Sequence, residues 1–270
     1  MAAPGTVGAV RAVGEIAWSA PSTVGRVVLT VADIVGRSVR RAVQPGSRGV
    51  RALLWRTTVD QLWYTGVEAV PLVASLGTLV GVTTVGVGFR TLHALGAESA
   101  FGTVLEKVIL MEFAPLLTAV IVAARSGSAV CTELLAMRLN DELDALSVHG
   151  VDPRVFVGLP RLVGLTVGTA TLAVVFSLTT YAVTLFCTVP LGIPLPPFAA
   201  SLADAVLPRD VLVLGVKAVL FGFAVAATSL TRGFTWGSGV ADLPRVGARG
   251  VMDALITVFL IDALFAVLVR

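Results

Sequence analysis

The sequence predicts an all-α protein that crosses a membrane five times. Three observations predict this class: the composition, the length of the apolar stretches and the placement of the arginines. Of the 270 residues, 56% are hydrophobic and only 14% are charged, and the mean hydropathy is +0.92. A soluble domain needs more polar surface than this composition supplies. We therefore expect lipid to be the solvent for most of the chain.

Five apolar stretches are long enough to cross about 30 Å of hydrocarbon at about 1.5 Å per residue. They are residues 67–89, 104–124, 162–189, 211–230 and 251–269. The second stretch carries Glu106, Lys107 and Glu112, but its average composition still favours a span. Because Glu106 and Lys107 fall near the outer end of that span, we expect both side chains to snorkel to the interface as anchors.

The arginines indicate how the spans are oriented. They crowd the segment before the first span and the loops after the second and fourth spans, at positions 11, 26, 37, 40, 41, 48, 51, 56, 125, 138, 154, 161, 232, 245 and 249. The positive-inside rule places these regions in the cytoplasm, with the N-terminus inside and the C-terminus outside. The same distribution explains the formal charge of +3 without a nucleic-acid partner, since no aromatic and basic binding face accompanies it.

The segment before the first span predicts helices that lie on the membrane surface. Between residues 23 and 41, apolar side chains recur at helical spacing opposite a cationic face. Trp55, Trp63 and Tyr64 follow, which suits the headgroup region. We interpret residues 1–65 as interfacial N-terminal helices; the alternative is a poorly ordered basic tail. Residues 1–270 are expected to form a single membrane domain.

The loop at residues 125–161 predicts an amphipathic helix. An apolar stripe runs along it at Leu135, Leu139, Leu143 and Leu146. Polar residues of the segment lie off that stripe, and they are Glu133, Arg138, Asp141, Glu142 and Asp144. We expect Arg138 to pair with Asp141 or Glu142, and the helix to end at residues 151–153, before proline. Two interpretations remain open: a connector on the membrane surface, or a docking helix that transmits force from a cytoplasmic partner.

Several motifs resemble those of the MlaE (YrbE) permease family. They are EFAPLLTA at residues 112–119, ARSGSA at 124–129, the acidic and proline-containing run at 144–161, Lys217, Phe221-Gly222 and Asp262. The resemblance covers about residues 55–269 in order. Two positions depart from it: Met111 stands where the family usually has arginine, and Ala114 where it usually has glycine. The missing charge beside Glu112 bears on headgroup preference and not on the fold.

The resemblance implies a membrane subunit of an ABC-type transporter. Its implied partners are a second copy in a homodimer, a cytoplasmic ABC ATPase docked on the loop helix, and an extracytoplasmic protein with mammalian-cell-entry (MCE) domains. The implied function is to move phospholipid or a related lipid between the inner (cytoplasmic) membrane and the MCE assembly. In this setting the residues expected to couple to the ATPase are Glu133, Arg138, Asp141, Glu142 and Asp144.

Charged residues within the spans are the candidate substrate site. An ionisable side chain there costs at least about 2.5–3.5 kcal/mol, so it normally has a partner or faces a wet cavity. Glu112 and Lys217 lie at similar depths, roughly 12 and 9 Å from the outer interface. They form either a structural ion pair or, as the resemblance favours, part of the lining of a lipid cavity with Met111, where a phosphate meets Lys217. Asp262 is open to two interpretations, a hydrogen-bonding residue between helices or a residue on a dimer axis.

No catalytic or metal site is expected. The sequence contains no phosphate-binding loop, no His-Glu-x-x-His motif and no Gly-x-Ser-x-Gly motif. The two histidines, His93 and His149, fall in loops on opposite sides of the membrane. We therefore expect a transport subunit without a cofactor, with ATP hydrolysed by a separate chain. The alternatives are an ion-coupled transporter or channel that uses Glu112, Lys217 and Asp262 as a relay, and an assembly scaffold.

Overall fold

The computed structural model describes residues 27, 30, 33, 34, 36, 48–96, 101–188 and 195–268. Within these residues, five helical segments are long and apolar enough to cross a membrane. They are span 1 (Leu53–Leu92), span 2 (Phe101–Leu139), span 3 (Arg154–Thr188), span 4 (Pro208–Thr235) and span 5 (Val240–Val267). The predicted all-α, five-span class is confirmed. Most of the predicted surface helix at residues 23–41 lies outside the described residues.

Each span is built from α-helices and, in places, wider π-helical turns. The α-helices are α1 (Arg48–Leu62), α2 (Val70–Thr83), α3 (Arg90–Ala94), α4 (Phe101–Val108), α5 (Ala114–Val122), α6 (Ser128–Leu139), α7 (Glu142–Val148), α8 (Leu159–Thr188), α9 (Leu195–Ala205), α10 (Pro208–Thr235) and α11 (Leu243–Leu268). The π-helical turns are Trp63–Val67, Thr84–Phe89, Ile109–Phe113, Ala123–Gly127 and Arg154–Gly158, and a 3₁₀ turn at Val240–Asp242 precedes α11. Satisfying the backbone inside the helix is what lipid requires of a spanning segment.

Spans 2, 3 and 4 form the centre of the bundle. About half of the most apolar window of each is buried inside the protein, compared with 22% for span 1 and 17% for span 5. Glycines allow the central helices to approach closely. A Cβ atom at Gly222 of span 4 would lie 2.9 Å from the Thr166 backbone of span 3, and one at Gly81 of span 1 would lie 2.9 Å from the Thr180 carbonyl. Spans 1 and 5 present most of their apolar surface outward.

The loop between spans 2 and 3 differs from the prediction in its helices. Span 2 continues as helix through Ala123–Gly127 into α6, so the predicted loop begins as part of the span. The single helix predicted across residues 133–146 is wrong, because Asn140 and Asp141 separate α6 from α7. Asp141 adopts φ +58°, a left-handed conformation that aspartate tolerates better than most residues. Helix α7 ends at Val148, ahead of Gly150 (φ +74°), and thus earlier than predicted.

Candidate functional site

A proline in span 2 prepares a carbonyl oxygen for a side-chain partner. Pro115 has no backbone N–H, so the carbonyl of Met111, four residues earlier, loses its usual helical donor. The turn at Ile109–Phe113 widens at this point, and the Ala114 amide bonds back to the Ile109 carbonyl. The Met111 oxygen accepts a hydrogen bond from Lys217 Nζ of span 4 at 2.7 Å. A free carbonyl inside a span therefore becomes a ligand for a buried cation.

Lys217 is the centre of a charged cluster that joins spans 2, 4 and 5. Its side chain is 2% exposed, and Nζ donates to Glu112 Oε2 at 2.8 Å. Asp262 Oδ1 of span 5 lies 2.6 Å from the same nitrogen, at an angle that makes an ion contact and not an aligned hydrogen bond. We call Glu112, Lys217 and Asp262 the charged triad. With Met111 O, the ammonium has three oxygen partners, as many as it has N–H donors.

The predicted pairing of Glu112 with Lys217 is thus present, and Asp262 joins it. The role of Asp262 stayed open at the level of the sequence, although its depth in span 5 is close to that of Lys217 in span 4. A comparison of depth across all spans would have identified it. The role of Pro115 was not predicted either, although a proline inside an apolar stretch is a signal for a carbonyl without its helical donor.

The triad borders a cavity of about 330 Å³ between spans 2, 4 and 5. Its polar lining is Lys107, Glu112 and Lys217, and its apolar lining is Val108, Met111, Val213, Phe265 and Ala266. The three side chains predicted to line a lipid cavity, Met111, Glu112 and Lys217, therefore border one space. The Glu112 side chain is 46% exposed and the Asp262 side chain 19%. The cavity has an apolar wall and a carboxylate that a ligand can reach.

A second acidic cluster lies near the same end of the bundle and corrects one prediction. Glu106 does not snorkel to an interface, because its side chain is 0% exposed. Helix geometry explains this: adjacent residues point in directions about 100° apart, so Glu106 turns inward while Lys107 remains half-exposed. Lys107 Nζ lies 3.9 Å from Glu106 and 3.8 Å from Asp210 at the start of span 4. Lys107 is thus the accessible cation at this mouth of the cavity.

At the other end of the bundle, Arg138 of α6 holds the end of span 4. Its guanidinium donates to the carbonyls of Phe234 at 2.8 Å and Trp236 at 2.9 Å, and also to that of Gly237. These are carbonyls that a helix end leaves without intrahelical donors, and a cation there also suits the helix dipole. The expected pairing of Arg138 with Asp141 or Glu142 is therefore wrong. The carbonyls won because they lie within reach in the fold and offer several acceptors to one planar fork.

The other predicted coupling residues divide into two groups. Glu133 bonds to Arg161 at the start of α8, with an N–O distance of 2.6 Å, which ties α6 to span 3. Asp141, Glu142 and Asp144 are exposed on and just before α7. We call the latter three residues the acidic surface of α7. The structure brings α6 against spans 3 and 4 and leaves the acidic surface of α7 facing outward.

The fold and the site together define a class: a multi-pass helical membrane protein with a charged cluster and a small cavity between its spans. The chain belongs to the MlaE permease family, whose model, described as "Permease MlaE", matches residues 58–268. Membership makes it an ABC-transporter permease, a class of membrane subunit that works with a separate ATPase.

Individual relatives carry the same description. The chain is 26% identical over 246 residues to the protein TRIGALACTOSYLDIACYLGLYCEROL 1, chloroplastic, of Arabidopsis thaliana, covering 91% of this chain and 68% of that one. It is 25% identical to the probable ABC transporter permease protein RP096 of Rickettsia prowazekii, covering 77% and 82% of the two chains. It is 28% identical to the probable ABC transporter permease protein slr1045 of Synechocystis, covering 76% and 78%.

Proposed function

We propose that this chain is the permease subunit that moves phospholipid, or a related lipid, between the inner membrane and an extracytoplasmic MCE assembly. It acts as a homodimer with its N-terminus in the cytoplasm and takes its energy from a cytoplasmic ABC ATPase. The observation that carries the proposal is the charged triad on the wall of an otherwise apolar cavity. A related protein whose name is that of a glycolipid adds support for a lipid substrate.

The lining of the cavity suggests how a headgroup is held. Lys217 is saturated by Met111 O, Glu112 and Asp262, so it organises the site and has no donor left for a phosphate. The accessible groups are the Glu112 carboxylate, which accepts hydrogen bonds, and the Lys107 ammonium, which attracts an anion. A phospholipid headgroup with a phosphate and an amine or hydroxyl group matches both. The apolar lining suits the first carbons of the acyl chains.

Exposure of the triad supports a dimer. A carboxylate that is 46% exposed within a span faces a large desolvation cost if lipid chains cover it. A second copy packed over span 5, the least buried of the five spans described, encloses Glu112 in a protein-lined space that holds water or a headgroup. Such a shared cavity between two copies is the site proposed for the lipid.

Contacts of α6 support a route from the ATPase to the cavity. The acidic surface of α7 is exposed for docking. Helix α6 is tied to span 3 by Glu133–Arg161 and to the end of span 4 by Arg138. Span 4 is one continuous helix from Pro208 to Thr235 and carries Lys217 near its other end. A displacement of α6 and α7 therefore moves the helix that holds the triad.

Removing the accessible carboxylate tests this proposal. The complete transporter, with its ATPase, is reconstituted into liposomes, and ATP-dependent transfer of phospholipid is measured beside mass spectrometry of the lipids that copurify. Glu112→Gln should lower both several-fold. Glu68→Gln is the matched control: Glu68 is 47% exposed and bonds Arg125 at 2.8 Å, but it lies away from the cavity. We expect this variant to behave as the unmodified protein.

Two results would contradict the proposal. Unchanged transfer and lipid content in Glu112→Gln would remove the headgroup role of the cavity. Proton or ion flux that needs no ATP, and that disappears in Glu112→Gln, would instead support the ion-coupled transporter.

A further inference from the structure

A second cavity lies at the opposite end of the molecule from the charged triad. It measures about 390 Å³ and is formed by the end of span 4, the turn that follows and the beginning of span 5. The ionisable residues in its lining are Arg232, Arg245, Arg249 and Asp242. We call this space the arginine cavity. Three guanidinium groups face a single carboxylate there, so the lining is strongly cationic.

Two of these arginines lack an acidic partner. Arg232 is held by Asp253 through its Nε atom. Within the described part of the chain, neither Arg245 nor Arg249 has a carboxylate within 4 Å, and both side chains are exposed. Asp242 is directed elsewhere, because its Oδ2 accepts a hydrogen bond from the Ser238 amide at 3.1 Å. The positive charge of the cavity is therefore not neutralised by the protein.

Trp236 holds two of the guanidinium groups close together. The Cζ atom of Arg232 lies 4.3 Å from the centre of the indole ring, and that of Arg249 lies 5.7 Å from it. Cations on the same ring repel each other, and the repulsion is reduced when an anion lies between or beside them. In addition, Arg232 Nη1 is buried without a hydrogen-bond acceptor among the described residues. A buried donor of this kind costs free energy until an acceptor reaches it.

We propose that the arginine cavity binds the phosphate group of an anionic phospholipid from the leaflet at this end of the molecule. Guanidinium groups bind phosphate oxygens in pairs of hydrogen bonds, which a single buried carboxylate cannot replace. The cavity lies where two spans end and where a tryptophan marks the headgroup region. Basic pockets between spans are known sites for anionic headgroups. Val240 and Met252, 73% and 53% exposed, offer apolar surface to the acyl chains.

This site is independent of the proposed transport cavity. The charged triad combines two carboxylates with one lysine and presents a carboxylate to its ligand. The arginine cavity presents cations at the other end of spans 4 and 5. A headgroup bound there bridges the two helices at their connecting turn, next to the carbonyls that Arg138 holds.

Lipid titration of the full chain tests the assignment. Native mass spectrometry in detergent counts bound phosphatidylglycerol, with phosphatidylcholine as the uncharged reference. The doubly substituted chain, Arg245→Gln with Arg249→Gln, should bind phosphatidylglycerol roughly tenfold more weakly or worse, since each arginine near an anionic headgroup contributes to affinity. Phosphatidylcholine binding should not change. Because both side chains are exposed, the substitutions should leave the fold intact, which an unchanged Tm verifies.

Matched variants distinguish the arginine cavity from the rest of the basic surface and from the transport cavity. Arg56→Gln removes an exposed arginine of α1 outside the cavity and should retain full affinity. Glu112→Gln, which addresses the transport cavity, should also retain the arginine-dependent phosphatidylglycerol binding, so either proposal can fail alone.

Three results would overturn the lipid assignment. The first is equal phosphatidylglycerol affinity in the doubly substituted chain and the unmodified chain. The second is displacement of the lipid by millimolar inorganic phosphate, which would assign the cavity to a soluble anion. The third is a crosslink from position 245 to the ATPase chain, which would assign it to a protein contact.

Discussion

Lys217 illustrates how a charge is made tolerable inside an apolar bundle. An unpartnered ammonium in this position is costly, and the protein surrounds it with a carbonyl and two carboxylates. One cation and two anions leave a formal charge of −1, part of which reaches the cavity through the half-exposed Glu112. The lysine that the sequence predicts to meet a phosphate is thus better understood as the group that positions two carboxylates.

Replacing Lys217 with methionine should destabilise the protein by about 3 kcal/mol, the lower end of the range for breaking a buried ion pair. The lower end applies because Glu112 is half-exposed and Asp262 is not fully buried, so both retain some solvation. The free energy of unfolding in detergent measures the effect. Adding Asp262→Asn to Lys217→Met should recover a substantial part of the loss, because it removes one uncompensated charge.

Lys107→Met provides the comparison for this prediction. Lys107 is 52% exposed and its ion contacts are longer, 3.8 and 3.9 Å. We expect its loss to change stability by less than about 1 kcal/mol, as for an exposed pair. A Lys217→Met protein as stable as the unmodified chain would show that the triad contributes little to the fold.

At the scale of helices, close approach between spans 3 and 4 depends on Gly222. A methyl group there would lie 2.8 Å from the Thr169 Cβ and 2.9 Å from the Thr166 backbone, which cannot yield without moving the helix. Gly222→Ala should therefore lower stability by about 1–3 kcal/mol through overpacking. Thermal unfolding in detergent, followed by circular dichroism, measures the shift in Tm.

Gly215 in the same helix is the control, since a Cβ atom there meets nothing within 4 Å. Gly215→Ala should leave Tm unchanged or raise it slightly, because alanine favours helix over glycine by about 0.5–1 kcal/mol. Equal destabilisation by both substitutions would mean that the helix itself, and not the contact between spans, is sensitive at these positions.

Arg138 connects helix α6 to span 4 and should be required for coupling. Lysine keeps the charge but lacks the planar fork that reaches the Phe234, Trp236 and Gly237 carbonyls together. In the assembled transporter, Arg138→Lys should lower lipid transfer several-fold while ATP hydrolysis continues. The measurement is the ratio of lipid transferred to ATP hydrolysed. An unchanged ratio would show that α6 does not act through this contact.

At the scale of the whole molecule, the centre of the bundle and its outer spans have different partners. Spans 2 to 4 bury about half of their apolar windows, whereas spans 1 and 5 bury 22% and 17%. Span 5 also carries Asp262 and lines the proposed transport cavity through Phe265 and Ala266. For these reasons we place the second copy of the proposed homodimer on span 5 and lipid on span 1.

Crosslinking between copies tests this arrangement. With Cys187 replaced by serine and the buried Cys131 retained, Leu264→Cys on span 5 should crosslink two copies with a short thiol reagent. Leu79→Cys on span 1 should not. The two leucines are equally exposed in one chain, 57% and 59%, so reactivity alone does not distinguish them. A dimer crosslinked from position 79 and not from 264 would contradict the placement.

Much of the architecture could be predicted because lipid imposes local rules. A span must be apolar over about 20 residues and must satisfy its own backbone, and both properties can be read from consecutive residues. The details of the loop at 125–161 were harder. Whether Asn140 and Asp141 break a helix depends on a left-handed backbone at Asp141 that the apolar periodicity does not reveal.

The sequence by itself determined the class of the protein, the five spans and the pairing of Glu112 with Lys217, since these follow from apolar length and from matching depths. Only the tertiary structure decided that Asp262 completes the triad, that Glu106 is buried and that Arg138 holds carbonyls 96 to 99 residues away. Which groups meet across such separations depends on how the helices rotate and pack against one another. That packing is set by the whole bundle, not by any one segment.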